Sequence, residues 1–229
     1  MYNAPAPEVL PLSATAPDTL ADVLHALGDV PPDRVLWNPR PGTATEADQL
    51  RYLNRDRRLV ELIDGTLVEK PMGARESFLA VALSVHLFQF VRVGRLGVVG
   101  GADCLMRIVD GRNRLPDVCY TSWGRLPADD AHLQPVADFA PDLAVEVLSD
   151  SNTPAEIELK IRDYFRGGTL LVWVIDPDAR TATVYTAPDA FTTLTAADTL
   201  DGGAVLPDFA LSLADLFNEP QLNPRPAQA

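Results

Sequence analysis

An apolar segment followed by a sharply bounded helix dominates the second half of the sequence. Residues 143–148, Leu-Ala-Val-Glu-Val-Leu, have the composition of a buried strand. Thr153 can cap the helix that follows, and Pro154 suits its first turn. The helix is expected to continue to about Arg166, where two glycines end it before a second apolar strand over residues 170–175. This succession of strand, connecting helix and strand favours a sheet covered by helices.

The remaining pattern supports the same architecture. A long helix is expected over residues 76–93. Its apolar stripe is expected to face the core, because its residues recur at helical spacing: Phe78, Val81, Ala82, Val85 and Phe88. Without a glycine-rich phosphate loop, a doubly wound nucleotide fold is not favoured. The sequence predicts an α/β (α+β) fold, a mixed central β-sheet flanked by helices. Further helices are expected over 45–54, 76–93 and 213–217, and strands over 59–63, 66–69, 96–99, 104–109, 118–122, 182–186 and around 191–206.

Composition divides the chain into three parts. Residues 1–44 are rich in proline and alanine and are expected to form a loosely attached N-terminal arm with one short helix near 18–27. Residues 45–217 form the predicted domain. Residues 218–229 are polar and proline-rich, which predicts a flexible C-terminal tail.

The charge balance excludes some functions. The chain has 19 basic and 32 acidic residues, a net charge of −13, so a general nucleic-acid coat protein is not expected, whereas an enzyme that meets DNA through a local groove is compatible. Only Lys70 and Lys160 among the basic residues are lysines, which makes each of them more interesting than an ordinary surface cation. Two cysteines, no long apolar run and no N-terminal signal pattern predict a cytoplasmic protein without a membrane span.

Three residues could carry chemistry. Glu146 lies inside the apolar strand, where an unpaired carboxylate would be costly. Asp117 begins a neighbouring strand, and two carboxylates converging from two strands suit a hard cation such as Mg²⁺. Lys160 shares the sheet-facing side of the connecting helix and can reach such a cluster. Together they suit metal-assisted phosphodiester hydrolysis.

Each residue also has a simpler explanation. Asp117 follows a proline and could belong to a turn before its strand. Glu146 could form a structural ion pair, and Lys160 could be a solvated helix lysine. The combination is more specific than any one of the three.

The chain from about Thr45 to Pro188 resembles a widespread bacterial family of restriction-endonuclease-type proteins in the PD-(D/E)XK nuclease superfamily. The resemblance implies a mixed sheet flanked by helices, a Mg²⁺-type site and nuclease activity. Separated blocks carry it in the right order: 60–69, 115–118, 141–149, 151–156, Lys160 with Tyr164, 171–177 and 184–185.

The resemblance also implies roles for individual residues. Asp117 matches the first acid of the family and Glu146 the second, which makes them the expected metal ligands. The superfamily lysine usually follows the second acid by two residues, but position 148 is leucine, and Lys160 matches a variant in which the lysine lies on the next helix. Glu61 matches a recurrent glutamate that could join the acid cluster or lie at a strand edge.

Two further acids, Glu76 and Asp142, could contribute to the candidate site. Many relatives carry a histidine near the start of the long helix, where this chain has Glu76 as the candidate replacement. Asp142 shares strand parity with Glu146 and could support the site, or it could be a strand-start acid.

The sequence therefore predicts a hydrolase, a Mg²⁺- or Mn²⁺-dependent endodeoxyribonuclease with DNA as its substrate and a catalytic set of Asp117, Glu146, Lys160 and Glu61. The alternative is a non-catalytic interaction protein on a nuclease-like fold, which the net charge of −13 favours. Cutting two strands would favour a homodimer. The sequence contains neither a helix-turn-helix nor a zinc-finger pattern.

Overall fold

A computed structural model of the chain describes residues 17–71, 73–127 and 134–218. The expected tail, apart from Asn218, and the first part of the arm lie outside these residues. The helices are α1 (Leu20–Ala26), α2 (Glu46–Arg51), α3 (Ala74–Gly94), α4 (Pro154–Arg166) and α5 (Leu213–Phe217), with a 3-10 turn at Pro32–Arg34 and a π-helical turn at Tyr52–Asp56. The strands are β1 (Val60–Ile63), β2 (Thr66–Glu69), β3 (Gly97–Gly100), β4 (Met106–Val109), β5 (Arg112–Arg114), β6 (Val118–Ser122), β7 (Leu143–Val147), β8 (Leu171–Asp176), β9 (Thr181–Ala187), β10 (Ala190–Thr195), β11 (Thr199–Gly202) and β12 (Leu206–Ser212).

A six-stranded mixed sheet forms the centre of the molecule. Its order is β10-β9-β8-β7-β6-β3, and all neighbours are antiparallel except β7 and β8. These two parallel strands are joined by α4, because a parallel connection needs a crossover. The predicted mixed sheet flanked by helices is confirmed.

A smaller sheet of order β2-β1-β5-β4 lies beside the central one. Asp64 and Gly65 join β1 to β2 with φ angles of 47° and 77°, the backbone that a tight hairpin turn with two positive φ angles requires. This Asp-Gly turn joins the two strands that were predicted over 59–63 and 66–69. Strand β5, with the sequence Arg-Asn-Arg, was not expected, and all three of its residues are buried.

Helix α4 lies on one face of the central sheet. The Thr153 side chain accepts a hydrogen bond from the Glu156 amide, as predicted for the cap. Ile161 and Tyr164 pack with Ala144 of β7 in one apolar cluster. Because side chains alternate along a strand, Glu146 points to the same side of the sheet as Ala144, beneath α4.

Helix α3 covers the opposite face, but its predicted core stripe is wrong. Phe78, Val81, Val85 and Phe88 are each about half exposed, and only Ala82 of that stripe is buried. The face that packs on the sheet instead carries Leu79, Ala80, Leu83, Leu87 and Val91. The helix is apolar on both sides, so the recurrence of apolar residues does not select the buried side.

The length of α3 also bears on the expectation that no segment could span a membrane. Among the described residues, α3 is the one helix long and apolar enough to do so by length and composition alone. A core helix of an ordinary folded domain passes the same test, and one side of α3 is packed against the sheet.

Residues 27–44 are packed on the domain, so the expected loose attachment is wrong for this part of the arm. Leu27 and Val30 are buried against Ile63 and Val68. Val35 pairs with Val68, which extends the small sheet. The predicted short helix is present as α1.

Candidate active site

Asp117 directly precedes β6 and occupies a position opposed to Glu146 of the neighbouring β7. Val118 of β6 pairs with Val145 of the antiparallel β7, and this register places Asp117 opposite Glu146. The Asp117 amide donates to the Val145 carbonyl at 2.9 Å, and the Val147 amide donates to Asp117 Oδ2 at 2.7 Å. The strand pairing therefore brings the two acids together. The backbone amide of Val147 also holds the Asp117 carboxylate in place.

Glu146 is buried and both of its carboxylate oxygens are hydrogen-bonded. Lys160 Nζ donates to Oε2 at 2.9 Å, and the Tyr164 hydroxyl donates to Oε1 at 2.6 Å. Burial raises the pKa of Glu146, and the nearby Asp117 carboxylate adds to that rise while Lys160 opposes it. Burial and Glu146 raise the pKa of Tyr164, so its hydroxyl remains a donor.

Glu61 joins the same cluster from β1. Lys160 Nζ lies 3.3 Å from its Oε1, and Arg114 Nη1 donates to its Oε2 at 2.8 Å. Burial would raise the pKa of Glu61, but Lys160 and Arg114 outweigh that effect and lower the pKa to about 2. Burial alone would lower the pKa of Lys160, but the carboxylates of Glu146 and Glu61 outweigh burial and raise it. A protonated lysine therefore bridges the two glutamates.

Buried residues that the sequence did not predict support this cluster. Arg114 of β5 is fully buried between Glu61 and Asp163, and Nε of Arg114 donates to Asp163 Oδ2 at 3.0 Å. Arg112 donates to the other oxygen of Asp163 at 2.6 Å. These ion pairs join β5 to α4, and they explain why a strand of arginines can be buried.

Lys70 is a further residue of the buried cluster that the sequence analysis did not assign to it. It follows β2, its side chain is 3% exposed, and its Nζ lies 2.8 Å from Asp117 Oδ1. Each lysine in the chain is thus paired with one of the two acids on neighbouring strands: Lys70 with Asp117 and Lys160 with Glu146. The available signal was the scarcity of lysine in a chain whose other basic residues are all arginine.

A cavity of about 100 Å³ opens between the first turns of α3 and the ends of β6 and β7. Asp117 is the candidate site residue that lines it, whereas Glu146, Lys160 and Glu61 lie deeper in the protein. Its wall includes Pro71, Glu76, Ala102, Asp117, Val147 and Ser149.

The structure places Glu76 beside Asp117 and Asp142 away from it. Glu76 lines the cavity together with Asp117, in the first turn of α3. Asp142 lies at the opposite end of β7 from Glu146, where it accepts from the Ser122 amide and from Arg125 Nε, both at 2.7 Å. Asp142 is therefore a strand-start acid with its own cation.

The two opposed carboxylates fit a hard divalent cation in donor type. Mg²⁺ is commonly held by one or two carboxylates, with water and substrate phosphate completing its coordination. Asp117 Oδ2 and both Glu146 oxygens each accept one protein hydrogen bond, and Asp117 Oδ1 is ion-paired with Lys70. A carboxylate oxygen has two lone pairs, so each of them keeps one for a metal ion. Within the described part of the chain, no three His, Cys, Asp or Glu side chains form a complete metal-binding group by themselves.

Comparison with known proteins identifies relatives of the whole domain. Residues 45–214 match the Uma2 family, described as "Putative restriction endonuclease". Among solved structures, that of a putative nuclease belonging to DUF820 from Anabaena variabilis ATCC 29413 is similar, with a TM-score of 0.66 and 22% identity over 75% of this chain and 96% of that chain. This second likeness shows the fold. No curated protein matches the chain. Because the family model extends from the cap of α2 to the start of α5, the chain belongs to the Uma2 family of restriction-endonuclease-like proteins, as the motif blocks predict.

Proposed function

We propose that the chain is a metal-dependent endonuclease that hydrolyses phosphodiester bonds in DNA, with Asp117 and Glu146 as ligands of Mg²⁺ or Mn²⁺. One observation carries the proposal: two acids from opposed strand positions meet in the interior, and a buried lysine from α4 is bonded to the second of them. The membership in a family described as restriction endonucleases supports the reaction class.

The bound cation would lower the pKa of a water molecule and neutralise charge on the attacked phosphate. The residues of the chain hold this arrangement in place. The Val147 amide fixes Asp117, while Lys160 and Tyr164 fix Glu146 through one oxygen each. Groups held before the substrate arrives need no reorganisation during the reaction.

Lys160 and Glu61 are buried and do not line the cavity, so they act through the residues they contact. Lys160 supplies fixed positive charge close to both glutamates, and Glu61 keeps Lys160 in position from the side of β1. Arg114 in turn holds Glu61. The proposed roles are therefore metal binding for Asp117 and Glu146, and positioning with charge stabilisation for Lys160 and Glu61.

A non-catalytic interaction protein is the second candidate, and the charge balance of the cluster favours it. The acids Asp117, Glu146 and Glu61 are matched by Lys70, Lys160 and Arg114, so the cluster is stable without a further cation. This candidate predicts no cleavage that depends on a divalent cation, and at most weak, salt-sensitive DNA binding.

A nuclease assay separates the two candidates. Purified protein is incubated with supercoiled plasmid and with single-stranded DNA in Mg²⁺, Mn²⁺ or EDTA. Asp117→Ala, Glu146→Ala and Lys160→Ala are compared with Arg162→Ala, an exposed residue of α4. We expect cation-dependent cleavage that is lost in the first three variants and kept in the fourth, with folding checked by circular dichroism. Cleavage retained in all three site variants would remove the assignment.

A further inference from the structure

The ammonium of Lys70 is enclosed by oxygen atoms in the way a small cation would be. Its Nζ lies 2.6 Å from the Leu115 carbonyl, 2.8 Å from Asp117 Oδ1 and 3.4 Å from the Ala102 carbonyl. These three acceptors match the three N–H donors of a lysine ammonium. Lys70 is thus a buried positive charge whose position is fixed by three separate parts of the chain.

The two buried lysines differ in whether their partner residues line the cavity. Lys70 contacts Asp117 and Ala102, and both of these residues line the cavity, as does the adjacent Pro71. The partners of Lys160 are Glu146 and Glu61, and neither lines it. Any group that enters the cavity and reaches Asp117 therefore arrives beside Lys70, with Lys160 behind Glu146.

We propose that Lys70 is a built-in cation of the site, which competes with a divalent metal ion for Asp117 and contacts the substrate phosphate from the edge of the cavity. The inference rests on the proposed function, and it adds a lysine that the family pattern of Asp117, Glu146 and Lys160 does not contain.

The reason for competition is electrostatic. A metal ion at Asp117 would lie close to the ammonium that holds Oδ1, in a site where burial weakens solvent screening. When Asp117 binds the metal ion, the Leu115 and Ala102 carbonyls still hold Lys70 directly behind the part of the cavity wall that Ala102 and Asp117 form. A cation in that place can pair with a phosphate oxygen, which is the common role of a lysine in phosphate binding.

The two parts of the proposal predict opposite changes in one variant. Lys70→Met removes the competing charge, so the Kd for Mn²⁺ should fall by about tenfold or more. The same change removes the phosphate contact, so kcat for plasmid nicking should fall by about tenfold or more. A residue that only stabilises the fold would weaken both functions together. Lys70→Gln, which keeps a donor for the Leu115 carbonyl, serves as a second neutral variant in case Lys70→Met folds poorly.

Mn²⁺ binding is measured by the electron paramagnetic resonance signal of the free ion, and the fold of each variant by circular dichroism and thermal melting. Arg75→Met is the matched control, because it also removes one positive charge, in the first turn of α3, from a residue paired with Asp178. It should leave Mn²⁺ affinity unchanged.

The outcomes distinguish this inference from the proposed function. Neutral variants that bind Mn²⁺ no more tightly than the parent protein overturn the competition, and an unchanged kcat overturns the phosphate contact. If no protein cleaves DNA but the neutral variants gain Mn²⁺ affinity, the endonuclease proposal and the phosphate contact both fail, and the competition between Lys70 and the metal ion is supported.

Discussion

Lys160 and Glu146 form a buried ion pair between α4 and β7, with 2.9 Å between Nζ and Oε2. Removing two charges from water is costly, and their attraction repays that cost only when the remaining hydrogen bonds are also made. Here Tyr164 donates to the other Glu146 oxygen, and Glu61 forms a second ion pair with Lys160. The pair is therefore well compensated, but it depends on every member of the cluster.

The first prediction concerns the removal of one partner. Lys160→Met should lower the free energy of unfolding by about 3–5 kcal/mol, because it leaves two buried carboxylates without their shared cation. The double variant Glu146→Leu with Lys160→Met should recover most of that loss, since an apolar pair of similar volume avoids the desolvation cost. Urea unfolding of both proteins measures the difference.

The two variants also separate stability from activity. Both should lack cleavage, although only the single variant is strongly destabilised. A double variant that is no more stable than the single one would show that Lys160 and Glu146 are not the coupled pair described above.

The part of the candidate site that could be predicted lies on β7 and on α4, the helix that follows it. The Thr153 cap fixes where α4 begins, so the helical spacing places Lys160 on the buried side. The apolar composition of β7 places Glu146 in the interior. These two residues could be anticipated because their positions follow from short-range pattern, and the pairing of Asp117 with Glu146 follows once β6 and β7 are neighbours.

The parts that could not be predicted depend on contacts between distant segments. Lys70 reaches Asp117 across 47 positions in the sequence, and no short-range spacing reports that contact. Strand β5 is polar, and it is buried only because Asp163 and Glu61 pair with Arg114. The long helix α3 is apolar on two sides, so its periodicity could not indicate which of them packs on the sheet.

The second prediction is a pH dependence of stability. The pKa of Glu61 is lowered to about 2 in the folded protein, below its usual value, so the unfolded chain binds more protons on the acid side. The stabilisation is present above about pH 4.5 and is lost as the pH falls towards about 2. The raised pKa of Glu146 acts in the opposite direction, because its folded carboxyl holds a proton to higher pH.

Acid unfolding of two variants checks these signs. Glu61→Gln should flatten the fall in stability between about pH 4.5 and 2, whereas Glu146→Gln should not. Denaturant unfolding at several pH values in this range provides the measurement. Equal slopes for Glu61→Gln and the parent protein would contradict the low pKa of Glu61.

The third prediction concerns the attachment of residues 27–44. Arg34 makes two hydrogen bonds to the buried Glu156 carboxylate, of 2.9 and 2.6 Å, and so ties this segment to the first turn of α4. Arg34→Ala should destabilise the protein by about 3–5 kcal/mol, because Glu156 would remain buried without its cation. It should also speed proteolytic cleavage in this segment. Arg40→Ala, at an exposed position, is the control and should change neither property.

The fourth prediction compares the two sides of α3. Leu83 is fully buried against the central sheet, whereas Val85 is about half exposed on the other side. Leu83→Ala should lower the free energy of unfolding by about 2–5 kcal/mol, since it leaves a cavity in the core. Val85→Ala should change it by about 0.5 kcal/mol or less, because the Val85 side chain is about half exposed. A loss for Val85→Ala that grows with protein concentration would show instead that a second copy covers this side of the helix in solution, because the stability of an associated state depends on the concentration of its subunits.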